Sequence, residues 1–127
     1  MLMWAYCNKV RALTGLGKYL EASEEIEKAI KLNGPESKLT YIKEKLRFIL
    51  DLEGQRLKGL NVKKKTLIND AEEAFGDKEY WFSLWASREI QKTDKEHIQA
   101  NLLELESMTA SFMFRPALAK AEQIKHL

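Results

Sequence analysis

The stretch of residues 17–35 constrains the fold of this chain more than any other part. Before it, apolar side chains recur at spacings of four, four and three over residues 2–14, a pattern typical of a helix that ends at two glycines. Residues 18–33 form a second helical pattern with the small residues Ala22 and Ala29 on one side, so that two helices can approach closely. We therefore expect an antiparallel helical hairpin that ends at a Gly-Pro pair.

This hairpin resembles a known structural repeat. Residues 2–35 resemble one unit of a tetratricopeptide repeat, a family of paired helices that stack with a regular period along the chain. The matching positions are Tyr6, Leu13, Gly17, Tyr19, Ala22, Ile26 and Ala29. The chain departs from the family where Lys9 and Val10 replace a usual Leu-Gly pair and where Pro35 comes one residue late. A shift by one period places Arg56 where a small residue is expected, so the remaining helices are a divergent match.

The rest of the chain also has helical periodicity, with few glycines or prolines to break it. Further helices are predicted from Pro35 onward, over residues 62–75 and 78–92, after a capping box at residues 93–96, and over residues 116–125. The sixth helix is expected to bury Ile98, Leu102, Leu105, Met108 and Phe112. Together with the resemblance, this predicts an all-α fold.

The expected architecture is a tetratricopeptide-like stack of antiparallel helix pairs, with about seven helices in one domain over residues 1–127. The alternative is a piece of a longer array, because such arrays need about three units to bury a continuous core. Trp81 and Trp85 lie four residues apart, among other aromatic residues. Such a cluster belongs to a core more often than to an interface, so we expect these tryptophans to be buried.

The resemblance implies a concave surface lined by the first helix of each unit. On this alignment its positions in the first helix are Trp4, Cys7, Asn8, Arg11 and Thr14. Arg11 and Asn8 suit the backbone or a carboxylate of a peptide, since guanidinium offers a fork of donors and an amide both donates and accepts. The implied function is a non-enzymatic scaffold or adaptor that binds a protein or peptide partner. The alternative interpretations are a solvated Arg11 and a half-buried, structural Cys7.

A basic segment offers a second interpretation. The net charge is only +2, but residues 38–65 carry nine basic side chains and three acidic ones. Within residues 58–65, a glycine is followed by a helix that opens with Lys63, Lys64 and Lys65, which vaguely resembles a helix-turn-helix and could contact phosphates. Consecutive lysines spread around a helix instead of lining one face. A solvated charge run therefore remains the alternative to nucleic-acid binding.

Sequence motifs for catalysis are absent. The two histidines, His97 and His126, have no convergent partners, and no nucleophile elbow, phosphate loop or zinc spacing occurs. We therefore expect no enzyme activity, no metal and no cofactor. The single cysteine and the lack of a signal-like or membrane-spanning start suggest a cytoplasmic protein with no membrane contact. Association of copies through an uncovered end of the stack is a further alternative.

Overall fold

The computed structural model describes residues 3–34, 36–57 and 64–127, and within these ranges the chain is all-α. Seven helices occur in this described part, and it contains no strand. They are α1 (Met3–Gly15), α2 (Tyr19–Asn33), α3 (Ser37–Leu57), α4 (Lys64–Gly76), α5 (Tyr80–Thr93), α6 (Ile98–Ala110) and α7 (Phe114–Ile124). The predicted fold class is confirmed. The predicted Asn61 helix cap lies outside the described residues.

The helices group into two compact units, Met1–Val62 with α1 to α3 and Lys63–Leu127 with α4 to α7. Consecutive helices pack against each other within each unit, and α1 also contacts α3 while α4 contacts α6. This packing within each unit is compatible with the predicted helical stack. A single continuous domain over residues 1–127 stays a prediction.

The first unit is built around the small residues of α2. Ala22, Ile26 and Ala29 are buried on one face of this helix, as the pattern predicted. Cys7 and Val10 of α1 are buried as well, and α3 adds four fully buried aliphatic side chains: Leu39, Ile42, Leu46 and Ile49. Each such side chain contributes about 1.5–3 kcal/mol to the stability of the fold.

Three helical hairpins of the chain have turns with the same backbone conformation. The turn residue has a positive φ, 78° at Gly17, 62° at Lys78 and 62° at Phe112. The residue after it has nearly the same conformation in all three cases, with φ between −92° and −87° and ψ between 64° and 66°. Its N–H donates to the carbonyl five residues back, at 2.8–2.9 Å, which closes a Schellman motif.

The shared turn gives the three hairpins a common register. The residue five positions after the turn residue is Ala22, Ser83 or Ala117, and all three are buried. A small side chain at this position allows the two helices of a hairpin to approach closely. The α4–α5 and α6–α7 hairpins therefore repeat at the sequence interval that separates Lys78 from Phe112.

The predicted buried face of α6 is wrong. Ile98, Leu102 and Phe112 are 61%, 41% and 77% exposed, whereas Leu105 is half-buried and Met108 is buried as predicted. The buried side chains of α6 are Ala100, Asn101, Leu103, Glu104, Ser107 and Met108. The reason is that α6 packs against α4, α5 and α7 at once, and the neighbouring helices supply polar partners for its polar residues.

The predicted starts of the last two helices also need correction. Residues 93–96 do not form a capping box, because α6 begins later and its N-cap is His97, whose Nδ1 accepts from the Ala100 N–H at 3.1 Å. Helix α7 begins at Phe114, two residues before Pro116. Proline is tolerated there because the first turn of a helix leaves its N–H groups unpaired.

The aromatic cluster of α5 belongs to the core of the second unit. Phe82 is fully buried, and Trp85 is 8% exposed with its ring centroid 5.7 Å from that of Phe82. Trp81 is half-buried. The predicted core assignment therefore holds for Trp85, while Trp81 retains part of its surface.

Candidate partner-binding groove

The residues predicted for binding on α1 do not share one environment. Trp4 is 69% exposed, Asn8 is exposed and Arg11 is half-buried. The Arg11 Nη1 donates to the Asn8 Oδ1 at 3.3 Å, so the structure brings these two side chains together. Spacings of four and three residues place the three side chains along one strip of the helix.

Thr14 and Cys7 are buried instead. The Thr14 side chain is 2% exposed, and its hydroxyl donates to the Val10 carbonyl at 2.8 Å. Cys7 is 1% exposed, so its thiol is inside the fold where half-burial was expected. Neither side chain reaches the surface in this structure, so only Trp4, Asn8 and Arg11 of the residues predicted on α1 remain accessible.

The lysines predicted for nucleic acid lie at the start of α4. Lys63 is outside the described residues, whereas Lys64 and Lys65 are exposed. The Lys64 Nζ lies 3.6 Å from the Asp94 Oδ2, in an ion pair whose two side chains are both about 40% exposed. One of the two described lysines therefore already faces a carboxylate of the same unit.

A groove lies between α4 and α6 in the second unit. Its volume is about 280 Å³, and it is lined by Glu72, Phe75, Gln99, Leu102, Leu103 and Glu106. This is slightly below the range of about 300–1,000 Å³ typical of small-molecule sites, which suits one or two side chains of a partner.

The floor of the groove is apolar and its rim is polar. Leu103 is almost fully buried, Phe75 is half-buried and Leu102 keeps 41% of its surface. The Phe75 ring packs against that of Tyr80, whose centroid is 5.3 Å away. Gln99, Glu72 and Glu106 are exposed, so an amide and two carboxylates surround the apolar side chains.

The position of the groove follows from the shared turn. On α1 the predicted groove positions Trp4, Cys7, Asn8, Arg11 and Thr14 precede the turn residue Gly17 at five fixed intervals. All six lining residues of the groove stand at these same intervals before Lys78 or Phe112. Glu72 and Glu106 match Arg11 in this register, whereas Phe75 matches Thr14. The sequence contains this repeated spacing, but it is difficult to recognise because Lys78 and Phe112 occupy the turn positions where glycine is usual.

A second hollow runs along α2. Its volume is about 660 Å³, but the residues that line it, such as Leu20, Glu24 and Lys31, all come from this one helix in the described part of the chain. A single helix surface does not bring groups from different elements together. The hollow is therefore a weaker candidate than the smaller groove between two helices.

A buried polar network joins α5, α6 and α7. The Glu104 Oε1 accepts from the Gln91 Nε2 at 3.0 Å and lies 2.9 Å from the Lys120 Nζ. The Glu104 Oε2 accepts from the Arg88 Nε at 2.8 Å. The Lys120 Nζ also donates to the Gln91 Oε1 at 2.6 Å. The carboxylate of this network thus faces two cations, and an amide bridges it to the buried lysine.

The network stabilises one protonation state. Burial alone would raise the pKa of Glu104, but hydrogen bonds from Arg88, Lys120 and Gln91 outweigh it and hold the pKa below its ordinary value. A carboxylate kept ionised by Arg88 and the buried Lys120, which lie on two other helices, is suited to holding helices together. It does not point to proton transfer, which needs a pKa nearer the working pH.

Two further buried contacts fix the same helices. The Ser83 and Ser107 hydroxyl oxygens lie 2.7 Å apart between α5 and α6. The Asn101 Nδ2 donates to the carbonyls of Lys95 and His97, at 2.9 and 2.7 Å, and so holds the connection that precedes α6. Three polar residues of α6, Asn101, Glu104 and Ser107, are thus buried, whereas Leu102 lines the groove.

Comparison with known proteins adds no assignment, since no protein-family model, no curated protein and no solved structure matches the chain. None of the helices in the described ranges is long and apolar enough to cross a membrane. Among the same residues, no group of three or more His, Cys, Asp or Glu side chains is arranged to hold a metal ion.

Proposed function

We propose that this chain is a non-enzymatic interaction module that binds a peptide or helix of a partner protein between the first helices of its hairpins. The α4–α6 groove is the main binding site of this proposal. The strip of Trp4, Asn8 and Arg11 on α1 is its counterpart in the first unit. A tetratricopeptide-like repeat and a cytoplasmic location belong to the same proposal.

One observation carries the proposal. Six side chains from two different helices converge on one groove, and each stands at an interval before its turn that the α1 alignment predicts to be groove-facing. Helix α6 supports it further, because its polar residues Asn101, Glu104 and Ser107 are buried while Leu102 remains accessible. A helix that exposes an apolar side chain beside a half-buried aromatic ring offers a surface on which an apolar partner side chain loses water.

The groove has the chemistry of a peptide site. Phe75, Leu102 and Leu103 offer apolar contact, and Gln99 can donate to and accept from a peptide backbone. An interface gains most of its affinity from a few buried anchors, with polar groups around them. One anchoring side chain of a partner, placed between Phe75 and Leu102, would satisfy this arrangement.

The proposal can be tested by selection from a displayed library of random twelve-residue peptides on the purified chain. The Kd of each enriched peptide is then measured by fluorescence anisotropy for Leu102→Asp and for Leu118→Asp. Leu118 is a matched control, because it is an exposed leucine on a helix of the same unit and does not line the groove. Loss of an apolar contact of about 1.5–3 kcal/mol predicts a weakening of roughly 10- to 100-fold for Leu102→Asp alone.

Two results would contradict the proposal. Either no peptide is enriched on the chain, or the two leucine variants weaken binding equally. Arg11→Glu in the same assay examines the α1 strip. If this variant binds every enriched peptide as the unchanged chain does, the strip is not part of the binding surface.

A further inference from the structure

The groove between α4 and α6 has an uneven charge. Among the described residues, its lining contains the carboxylates of Glu72 and Glu106 but no basic side chain. Lys65 stands on α4 in the position that Gln99 has on α6, yet it does not line the groove. A bound segment would therefore meet negative charge on both helices.

Four other acids of the second unit are paired with a cation, whereas the two carboxylates of the groove belong to the acids for which no ion pair occurs among the described residues. Glu104, Glu89, Asp94 and Glu122 each form an ion pair with a lysine or arginine. Glu72 and Glu106 are exposed and form no ion pair with the part of the chain that the structure describes. Opposite charges placed across an interface speed association and select the partner.

We propose that the occupant of the α4–α6 groove is a basic amphipathic segment of a partner protein. An aliphatic side chain of this segment lies between Phe75 and Leu102, and flanking lysine or arginine side chains face Glu72 and Glu106. Long basic side chains suit this arrangement because their methylene stems cover apolar surface while their charged ends reach the rim. The inference rests on the proposed function and specifies its partner.

The composition of selected peptides tests the inference directly. The random-peptide selection is repeated with the double variant Glu72→Lys/Glu106→Lys and with the control Glu73→Lys/Glu96→Lys. The control makes the same change in net charge with two exposed glutamates of the same unit that do not line the groove. The unchanged chain and the control are expected to enrich peptides with lysine or arginine beside an aliphatic residue. The groove variant is expected to enrich acidic peptides instead.

Affinity measurements give the size of the effect. For a basic peptide, Glu72→Gln/Glu106→Gln is expected to raise the Kd about three- to tenfold, because two exposed ion pairs are lost. The same peptide is expected to bind more weakly as NaCl rises from about 50 to about 500 mM, since salt screens exposed charges. The control Glu73→Gln/Glu96→Gln should leave the Kd unchanged.

Some results would overturn the inference of a basic partner without contradicting the proposed function. Enrichment of acidic or uncharged peptides on the unchanged chain overturns the basic partner while leaving a binding groove in place. The inference is also overturned if basic peptides bind Glu72→Lys/Glu106→Lys as tightly as they bind the control Glu73→Lys/Glu96→Lys. A third contrary result is a concentration-dependent dimer in light scattering that Glu72→Lys/Glu106→Lys dissociates, because the occupant would then be a second copy. Absence of any enriched peptide contradicts both proposals together.

Discussion

In the buried network of the second unit, removal of the Glu104 charge is expected to lower the free energy of unfolding more than removal of the Lys120 charge. In Lys120→Met, both Glu104 oxygens keep a donor, from Gln91 at 3.0 Å and from Arg88 at 2.8 Å. The loss is then that of hydrogen bonds to a charged group, about 1.5–3 kcal/mol of the free energy of unfolding. In Glu104→Leu, the Lys120 ammonium stays buried, and among the described residues it keeps hydrogen bonds only to the amide oxygens of Gln91 and Gln123. A buried charge left without a counter-charge costs about 3–5 kcal/mol.

The double variant measures the interaction energy between Glu104 and Lys120 separately from the cost of each single substitution. Replacement of a buried ion pair by apolar residues of similar volume is often close to neutral, so Glu104→Leu/Lys120→Met should be less destabilised than Glu104→Leu alone. A coupling energy of about 2–3 kcal/mol between the two positions follows. The exposed pair of Glu122 and Lys125 on α7 is the control, and the same substitutions there should leave the unfolding midpoint unchanged.

Urea unfolding followed by tryptophan fluorescence measures these costs. Trp81 and Trp85 belong to the same unit as the network, and a Trp4→Phe background removes the signal of the first unit. Two results would refute the reasoning. One is a Lys120→Met cost equal to or above that of Glu104→Leu. The other is a double-variant cost equal to the sum of the single costs, because an ion pair that contributes to stability must show coupling.

Two further predictions concern the same unit. The folded state holds the pKa of Glu104 below its ordinary value near 4.5. The contribution of this carboxylate to stability is therefore complete above that value and is lost as the pH falls through the lower, folded pKa. Between about pH 5 and about pH 3, the unfolding midpoint of Glu104→Gln should fall less than that of the unchanged chain. Lys78→Gly should raise the free energy of unfolding by about 0.5–1 kcal/mol, because φ of 62° strains a lysine but not a glycine. Lys78→Ala, which removes the same charge but keeps the strain, should not raise it, and equal stabilisation by both variants would assign the effect to charge.

Helix identity could be predicted from the sequence because apolar spacing and glycine breaks are local signals. The observed α2 starts one residue after the predicted start and ends at the predicted residue, and its buried face is the predicted one. Two later starts were wrong for local reasons too. The imidazole of His97 caps α6 where a Thr-to-Glu pattern was expected to do so, and Pro116 fits inside the first turn of α7. The imidazole accepts from one unpaired N–H of the first turn of α6, whereas proline has no N–H that the first turn of α7 could leave unpaired.

The interior of the second unit could not be predicted from one helix at a time. Apolar spacing on α6 favoured burial of Ile98, Leu102 and Phe112, but burial of Glu104 becomes favourable only where Arg88, Gln91 and Lys120 meet it. Those partners are distant in sequence and lie on other helices, α5 and α7. Long-range polar pairing therefore decided which face of α6 turned inward.

In contrast to the interior of the second unit, the location of the candidate groove depends on local turns. Once a turn residue is known, the intervals predicted before Gly17 on α1 include every lining residue of the α4–α6 groove. They also include four residues that do not line it: Lys65, Ile68, Asn69 and Thr109. The chemistry at those positions is free to differ from one hairpin to the next. Arg11 stands at the same place as Glu72 and Glu106, so equivalent positions carry opposite charges in the two units. A ligand chosen by charge in one unit need not fit the other, and the α4–α6 groove and the α1 strip must each be tested with their own variants.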